Sequence, residues 1–219
     1  MPEVALPWVA VLGPDGAGKT SVIVALKRMA GARGIQVEVF HWRPGVLKGR
    51  TEHSGGPVTD PHGMQASVPL VSVAKLAFLL LDWWLGYFLY VRPMRAAGKL
   101  VVFDRSFLDL LVDPVRYRYG GPPGLAEVFS RALPTPSLVV LLDAPVEVLR
   151  ARKQEVTHAE TVRQRAAYVA RVEALPNGHV LDASRPVENV ARDMFHLIMG
   201  MAEPPGESPA PKSVGDGAP

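Results

Sequence analysis

Cysteine is absent from the 219 residues, which excludes disulfides, thiolate zinc sites, iron–sulfur clusters and cysteine nucleophiles. Excess charge of one sign is scarce as well. Lys and Arg number 24 against 21 Asp and Glu, a net of +3. That is too little for a dedicated nucleic-acid binder, so no nucleic-acid partner is expected. The pI of about 9.3 still suits an anionic small-molecule ligand. The opening stretch MPEVALPWVAVLG has an early Glu3 and no basic segment, so no secretory signal is expected and a cytoplasmic location is the default. No internal repeat is present. Hydrophobic residues at 48% and charged residues at 21% exclude wholesale disorder, and the length suits one domain.

Short apolar runs rich in β-branched residues predict strands at Trp8–Leu12, Ile35–Trp42, Leu100–Phe103, Leu138–Leu142 and His179–Leu181. Helical patterns lie between and after them, at Lys19–Ala32, Leu70–Ala96, Leu125–Leu133, Val146–Glu155, Ala159–Leu175 and Val187–Met199. This alternation implies an α/β fold, a parallel five-stranded sheet with helices on both faces, with ligands at the carboxyl ends of the strands. Gly45–Pro69 has no periodicity and reads as a long loop. Residues 203–219 hold five prolines and three glycines and read as a disordered tail behind a domain of residues 1–202.

Val68–Val91 is long enough to span a bilayer. Ser72, Lys75, Asp82 and Gly86 form one polar or small stripe along it. A core helix facing a polar cleft is expected, without stable membrane insertion.

The sharpest signal is Gly13-Pro-Asp15-Gly16-Ala17-Gly18-Lys19-Thr20. It fits GxxxxGK[ST] at every position, directly after a predicted strand and opening a predicted helix. Such a loop wraps backbone N–H groups around phosphate oxygens where side chains would collide, and the helix N-terminus adds positive potential. Gly13, Asp15, Gly16, Ala17, Gly18, Lys19, Thr20 and Ser21 are therefore the candidate residues for binding ATP. Lys19 places a charge on the β- and γ-phosphates, and the Thr20 hydroxyl can ligate Mg2+. The architecture is that of a three-layer P-loop NTPase. No Asn-Lys-x-Asp base-reading motif of a GTPase is present, and Ser54-Gly55-Gly56 is a misplaced echo of an ABC signature. Small nucleoside and nucleotide kinases remain.

Asp104 ends the third predicted strand and is followed by Arg105. An acid there can organise the metal or orient the attacking oxygen, and the Arg can hold an anionic acceptor. Asp143, before Ala144-Pro145, reads as helix-start chemistry instead. Arg150, Arg152, Lys153, Arg163 and Arg165 cluster in sequence. They suggest a lid over residues 150–165 that brings positive charge to the transferring phosphoryl.

These residues resemble the thymidylate kinase-like branch of P-loop kinases over roughly residues 6–200. The likeness rests on the phosphate loop, Arg43-Pro44-Gly45, Pro93, Asp104-Arg105, Leu142-Asp143-Ala-Pro-Val-Glu147 with Arg150 and Arg152, and Leu181-Asp182-Ala183. The resemblance implies that Asp15 faces the acceptor sugar, that Arg43 and Arg105 hold the acceptor phosphate, and that lid arginines such as Arg150 and Arg152 stabilise the transferring group. The implied catalytic set is Lys19, Asp104, Arg105, Arg150 and Arg152, with Thr20 and Asp104 at the metal.

Three departures fall on the acceptor side. The family's Arg-Glu-Pro-Gly-Gly reads His41-Trp42-Arg43-Pro44-Gly45-Val46, without the Glu. Trp83 stands where the family usually has a phosphate-binding Arg, and is carried as a candidate acceptor contact. The family's Ser-Ser-x-Ala-Tyr-Gln is replaced by Asp109-Leu-Leu-Val-Asp113-Pro114, with Asp109, Asp113, Arg116 and Arg118 as candidates for binding hydroxyls. This variant resembles divergent members that sit with bacterial surface-polysaccharide genes. The expected function is phosphoryl transfer from ATP to a small-molecule acceptor resembling a nucleoside monophosphate. A sugar or glycan-precursor hydroxyl and a non-catalytic nucleotide-binding module are the alternatives. The resemblance also admits a homodimer.

Overall fold

Five parallel strands lie in the order β2-β3-β1-β4-β5, with β1 at Trp8–Leu12, β2 at Val37–His41, β3 at Leu100–Asp104, β4 at Leu138–Asp143 and β5 at Gly178–Asp182. The computed structural model describes residues 6–47 and 68–202. The expected tail and residues 48–67 of the expected long loop lie outside the described residues. Every strand falls within two residues of its predicted bounds.

Both faces of β1 are covered, which is why its run is apolar at every position. Val9 and Val11 point into one layer, with Leu26 of α1 (Lys19–Gly31) and Met194 of α8 (Val187–Ala202). The opposite face puts Trp8 and Phe103 against a second layer that includes Leu76 and Leu79 of α2 (Pro69–Gly86). The order of strands reverses at β1, which pairs with β3 on one side and β4 on the other. The phosphate loop leaves β1 at its carboxyl end, at this switch point, where open α/β sheets bind ligands.

The long predicted helix is one continuous element interrupted by a wider π-helical turn at Tyr87–Val91, followed by α3 (Arg92–Ala96). Pro93 has no N–H to donate one turn back, and the wider turn precedes it. The polar stripe of α2 faces inward as expected: Ser72 and Asp82 are fully buried, and Lys75 donates to the Tyr117 carbonyl. The opposite face, including Leu81, Trp84, Phe88 and Leu89, is exposed. By length and composition Val71–Ala96 could cross a membrane, but two of its charged side chains are engaged inside the protein.

Asp82 anchors the segment after β2. Its carboxylate accepts from Arg43 at 2.7 Å, from the Gly45 N–H at 3.2 Å and from the Leu47 N–H at 2.8 Å. Gly86, one turn on, lets Pro44 lie against the helix, since a Cβ there would sit 2.0 Å from the Pro44 Cβ. Gly86→Ala is expected to destabilise the fold by about 1–3 kcal/mol through this overlap. A melting temperature equal to that of the wild type would show that Pro44 is not held against α2.

Residues Phe107–Val112, assigned no element from the sequence, form a short helix, α4. Its start is fixed by a reciprocal cap: Ser106 Oγ accepts from the Leu108 N–H at 3.2 Å, and Asp109 accepts from the Ser106 N–H at 2.7 Å. The remaining helices are α5 (Pro123–Arg131), α6 (Val146–Arg152) and α7 (His158–Glu173). Helix α6 stops three residues before its predicted end, where Lys153 turns extended. This leaves a non-helical link, 153–157, that Thr157 closes by capping α7.

Candidate active site

Two glycines make the phosphate loop sterically possible. Gly13 and Gly16 have φ of 148° and 85°. A Cβ on them would lie 2.6 Å from the Leu142 carbonyl oxygen and 2.4 Å from that of Leu149. The loop is thus pressed onto the end of β4 and onto α6, where only glycine fits. Gly18 precedes α1, and Lys19, Thr20 and Ser21 form its first turn. Thr20 and Ser21 are exposed. Lys19 is buried, and its ammonium donates to the carbonyl oxygens of Gly13 at 2.7 Å and Pro14 at 3.0 Å.

Burial, and next the Arg105 guanidinium, lower the Lys19 pKa to about 8, against the pull of Asp15 and Asp104. The folded value lies below the ordinary lysine value. Between about pH 8 and 10.5 the folded chain therefore binds fewer protons than the unfolded chain, and this group's contribution to stability rises with pH across that window. Phosphate binding needs the opposite protonation state. Nucleotide affinity is expected to fall towards tenfold per pH unit above pH 8, and to lose that dependence in Lys19→Met. Titrating ATP binding between pH 7 and 10 checks this, and a flat wild-type profile would contradict it.

Asp104 ends β3 beside this loop. It is buried, with His41 Nδ1 3.9 Å from one carboxylate oxygen. The other oxygen, Oδ1, is buried without a hydrogen-bond partner. Arg105, with φ of 75°, departs from extended geometry and sends its guanidinium between two acids. It donates to Asp15 at 2.5 Å and to Asp109 at 3.0 Å. Asp109 also accepts from the Tyr168 hydroxyl at 2.7 Å, so α7 helps orient the arginine. Burial opposes ionisation of Asp15, but Arg105 and Arg116 outweigh it and hold the carboxyl well below the usual range.

The expected site residues divide into two groups. Lys19, Asp15, Asp104 and Arg105 converge at the carboxyl ends of β1 and β3. The others have different contacts. Arg43 is tied to buried Asp82. Trp83 is buried, with its ring 4.9 Å from that of Phe103 and 6.2 Å from that of Trp8. Arg150 donates to the Val156 carbonyl at 3.0 Å and Arg152 to the Ala183 carbonyl at 2.9 Å. Arg165 makes a paired contact with Asp143 at 2.8 Å. Arg116, a candidate for binding hydroxyls, joins the phosphate loop to the 153–157 link, bonding both Asp15 and Glu155.

No protein-family model matches the sequence. Individual curated proteins do. A thymidylate kinase of Halorhodospira halophila is 30% identical over 209 residues, spanning 85% of this chain and 91% of that protein. The chain belongs to the thymidylate kinase family. A thymidylate kinase of Limosilactobacillus fermentum is 28% identical over 222 residues, 87% of this chain and 94% of its own. One of Cereibacter sphaeroides is 27% identical over 227 residues, 90% and 97% respectively. The likeness thus runs through both halves of the kinase, and it identifies a phosphotransferase acting on nucleotides.

Proposed function

We propose that this kinase transfers the γ-phosphoryl of ATP to a nucleoside monophosphate, and that dTMP is a poor acceptor. The observation that supports transfer most directly is the convergence of Lys19, Asp104 and Arg105, with one Asp104 oxygen buried and unpartnered. An orphaned carboxylate oxygen beside a phosphate loop suits the environment of Mg2+. Among the described residues no group of three His, Asp or Glu side chains could hold a metal alone, so Thr20 and Asp104 would share it with the nucleotide. Bound there, the ion would neutralise charge on the β- and γ-phosphates.

The chain's own groups do the rest. Lys19 holds the donor phosphates. Asp104 orients the acceptor, and Arg105, fixed by Asp109, binds its phosphate. An acceptor phosphate oxygen is already ionised, so it needs no base. It attacks the γ-phosphorus as the bond to the β-bridging oxygen breaks, giving ADP and a nucleoside diphosphate. The lid, residues 150–165, excludes water.

Acceptor charge is the weak point for dTMP. Trp83 brings no cation, and Arg43 is engaged with Asp82. Each missing charge-assisted hydrogen bond typically costs about 1.5–3 kcal/mol. The family's Ser and Gln positions after Asp104-Arg105 are also replaced, which weakens placement of the dTMP sugar and base. Steady-state kinetics should therefore give dTMP a kcat/KM below about 10⁴ M⁻¹s⁻¹, the lower end for efficient enzymes, with another nucleoside monophosphate preferred. An ordinary value for dTMP would refute this reading of the acceptor side. Turnover confined to sugar hydroxyls would instead favour a glycan-precursor kinase.

The family points to a cytoplasmic enzyme. We further propose a homodimer, because Leu81, Trp84, Phe88 and Leu89 give α2 and its π-helical turn an exposed apolar face without charge, and a second copy can cover it about a twofold axis. Sedimentation equilibrium should give twice the chain mass of 23.7 kDa, and Phe88→Glu should halve it. A monomeric wild type would exclude the dimer.

A further inference from the structure

Arg116 joins three elements that are distant in sequence. Its guanidinium contacts Asp15 in the phosphate loop, lies 3.1 Å from Glu155 in the 153–157 link, and 3.4 Å from Asp113 after α4. The backbone that carries it is held from several sides. The Arg116 N–H donates to Asp113 at 3.1 Å, and Asp113 accepts from Gln164 of α7 at 3.0 Å. The next residue, Tyr117, stacks its ring on Trp42 at 4.7 Å and 20°, and its carbonyl accepts from Lys75. Gly120 donates its N–H to Ser72 at 3.0 Å. The guanidinium therefore projects from a fixed base towards the phosphate loop, the condition for a preorganised binding group.

The charge around it is arranged unusually for a phosphate site. Asp15 and Glu155 both accept from the same Arg116 guanidinium nitrogen, which brings the two carboxylates close together. Two carboxylates next to a phosphate loop repel the group the loop exists to bind. One has to yield when an acceptor anion arrives. Asp15 is also held by Arg105 at 2.5 Å, in a loop that packing against β4 and α6 keeps in place. Glu155 sits on a link outside any helix, and its other partner, Lys153 at 2.5 Å, is on the same link. Glu155 can leave together with Lys153, whereas Asp15 cannot.

We propose that Arg116 is a second acceptor-side cation beside Arg105, and that Glu155 holds its guanidinium as a stand-in for the acceptor's anionic group until the acceptor displaces it. This deepens the proposed function and rests on it. The exchange also reaches the lid, because Glu155 lies on the 153–157 link, which Arg150 ties to α6 through the Val156 carbonyl.

The test uses the full-length chain without ATP, titrated calorimetrically with nucleoside monophosphates (dTMP and UMP among them) and with the matching nucleosides. Glu155→Gln removes the competing charge and should tighten the best monophosphate roughly three- to tenfold. Arg116→Gln should weaken it by about tenfold or more, with Arg116→Lys between the two. Nucleoside affinity should stay within about twofold throughout, since the effect is on the phosphate. Tighter binding cannot result from a damaged fold, so Glu155→Gln isolates the claim. Unchanged or weaker monophosphate binding in Glu155→Gln would overturn it, as would equal losses for nucleoside and monophosphate in Arg116→Gln. A wild type that binds no monophosphate better than its nucleoside would instead overturn the proposed function, and this inference with it.

Discussion

Lys19→Ala is expected to lower kcat by at least about 10³-fold, the upper range for removing one preorganised charge-stabilising donor. The fold should lose little. Lys19 is buried at the mouth of the loop, its pKa is depressed to about 8 by burial and Arg105, and its hydrogen bonds go to carbonyls of its own loop. At neutral pH its charge is a burden on the folded state unless an anion accompanies it. The melting temperature of the variant should equal or exceed that of the wild type, while stabilisation by added ATP should disappear. Turnover within tenfold of wild type in a cooperatively folded variant would show that the loop does not carry the transfer.

Arg105→Met should damage both fold and activity. The guanidinium neutralises Asp15 and Asp109, whose side chains are 9% and 1% exposed. Removing one partner of such a buried pair typically costs about 3–5 kcal/mol; Asp109 is left buried without its guanidinium, while Asp15 keeps Arg116. Adding Asp109→Asn should restore much of the stability by removing the charge left alone. Activity should stay lost, since the arginine that binds the acceptor phosphate is still missing. Chemical denaturation and turnover of the single and double variants separate the two effects. A double variant as unstable as the single would mean that Arg105 acts through packing rather than charge.

The sheet and the phosphate loop were legible in sequence because both depend on local pattern. Five apolar, β-branched runs became five strands, and the motif glycines answer local backbone needs, Gly13 a close carbonyl and Gly18 a left-handed φ of 82°. The α4 helix escaped because six residues, mostly apolar, show no helical period. Its signal was Ser106-x-x-Asp109, a capping box that also aims Asp109 at Arg105. The contacts of Arg150 and Arg152 were not legible in sequence: residues two apart on a helix point away from each other, and each donates to a separate carbonyl. The Arg116–Asp15 contact joins positions 101 apart, and no local pattern announces such a pair. Trp83 was carried as an acceptor contact on alignment with a family arginine, while its apolar surface is satisfied in the core against Trp8 and Phe103.

The most direct measurement is the destination of the γ-phosphoryl. Full-length protein, ATP labelled at the γ-position and Mg2+ are incubated with nucleoside monophosphates, nucleosides and sugars in separate reactions, and the labelled products are identified. The label should appear in a nucleoside diphosphate, at a rate that depends on acceptor concentration, with dTMP among the slower acceptors. Label found only in inorganic phosphate, or only on a sugar hydroxyl, would contradict a nucleoside monophosphate kinase.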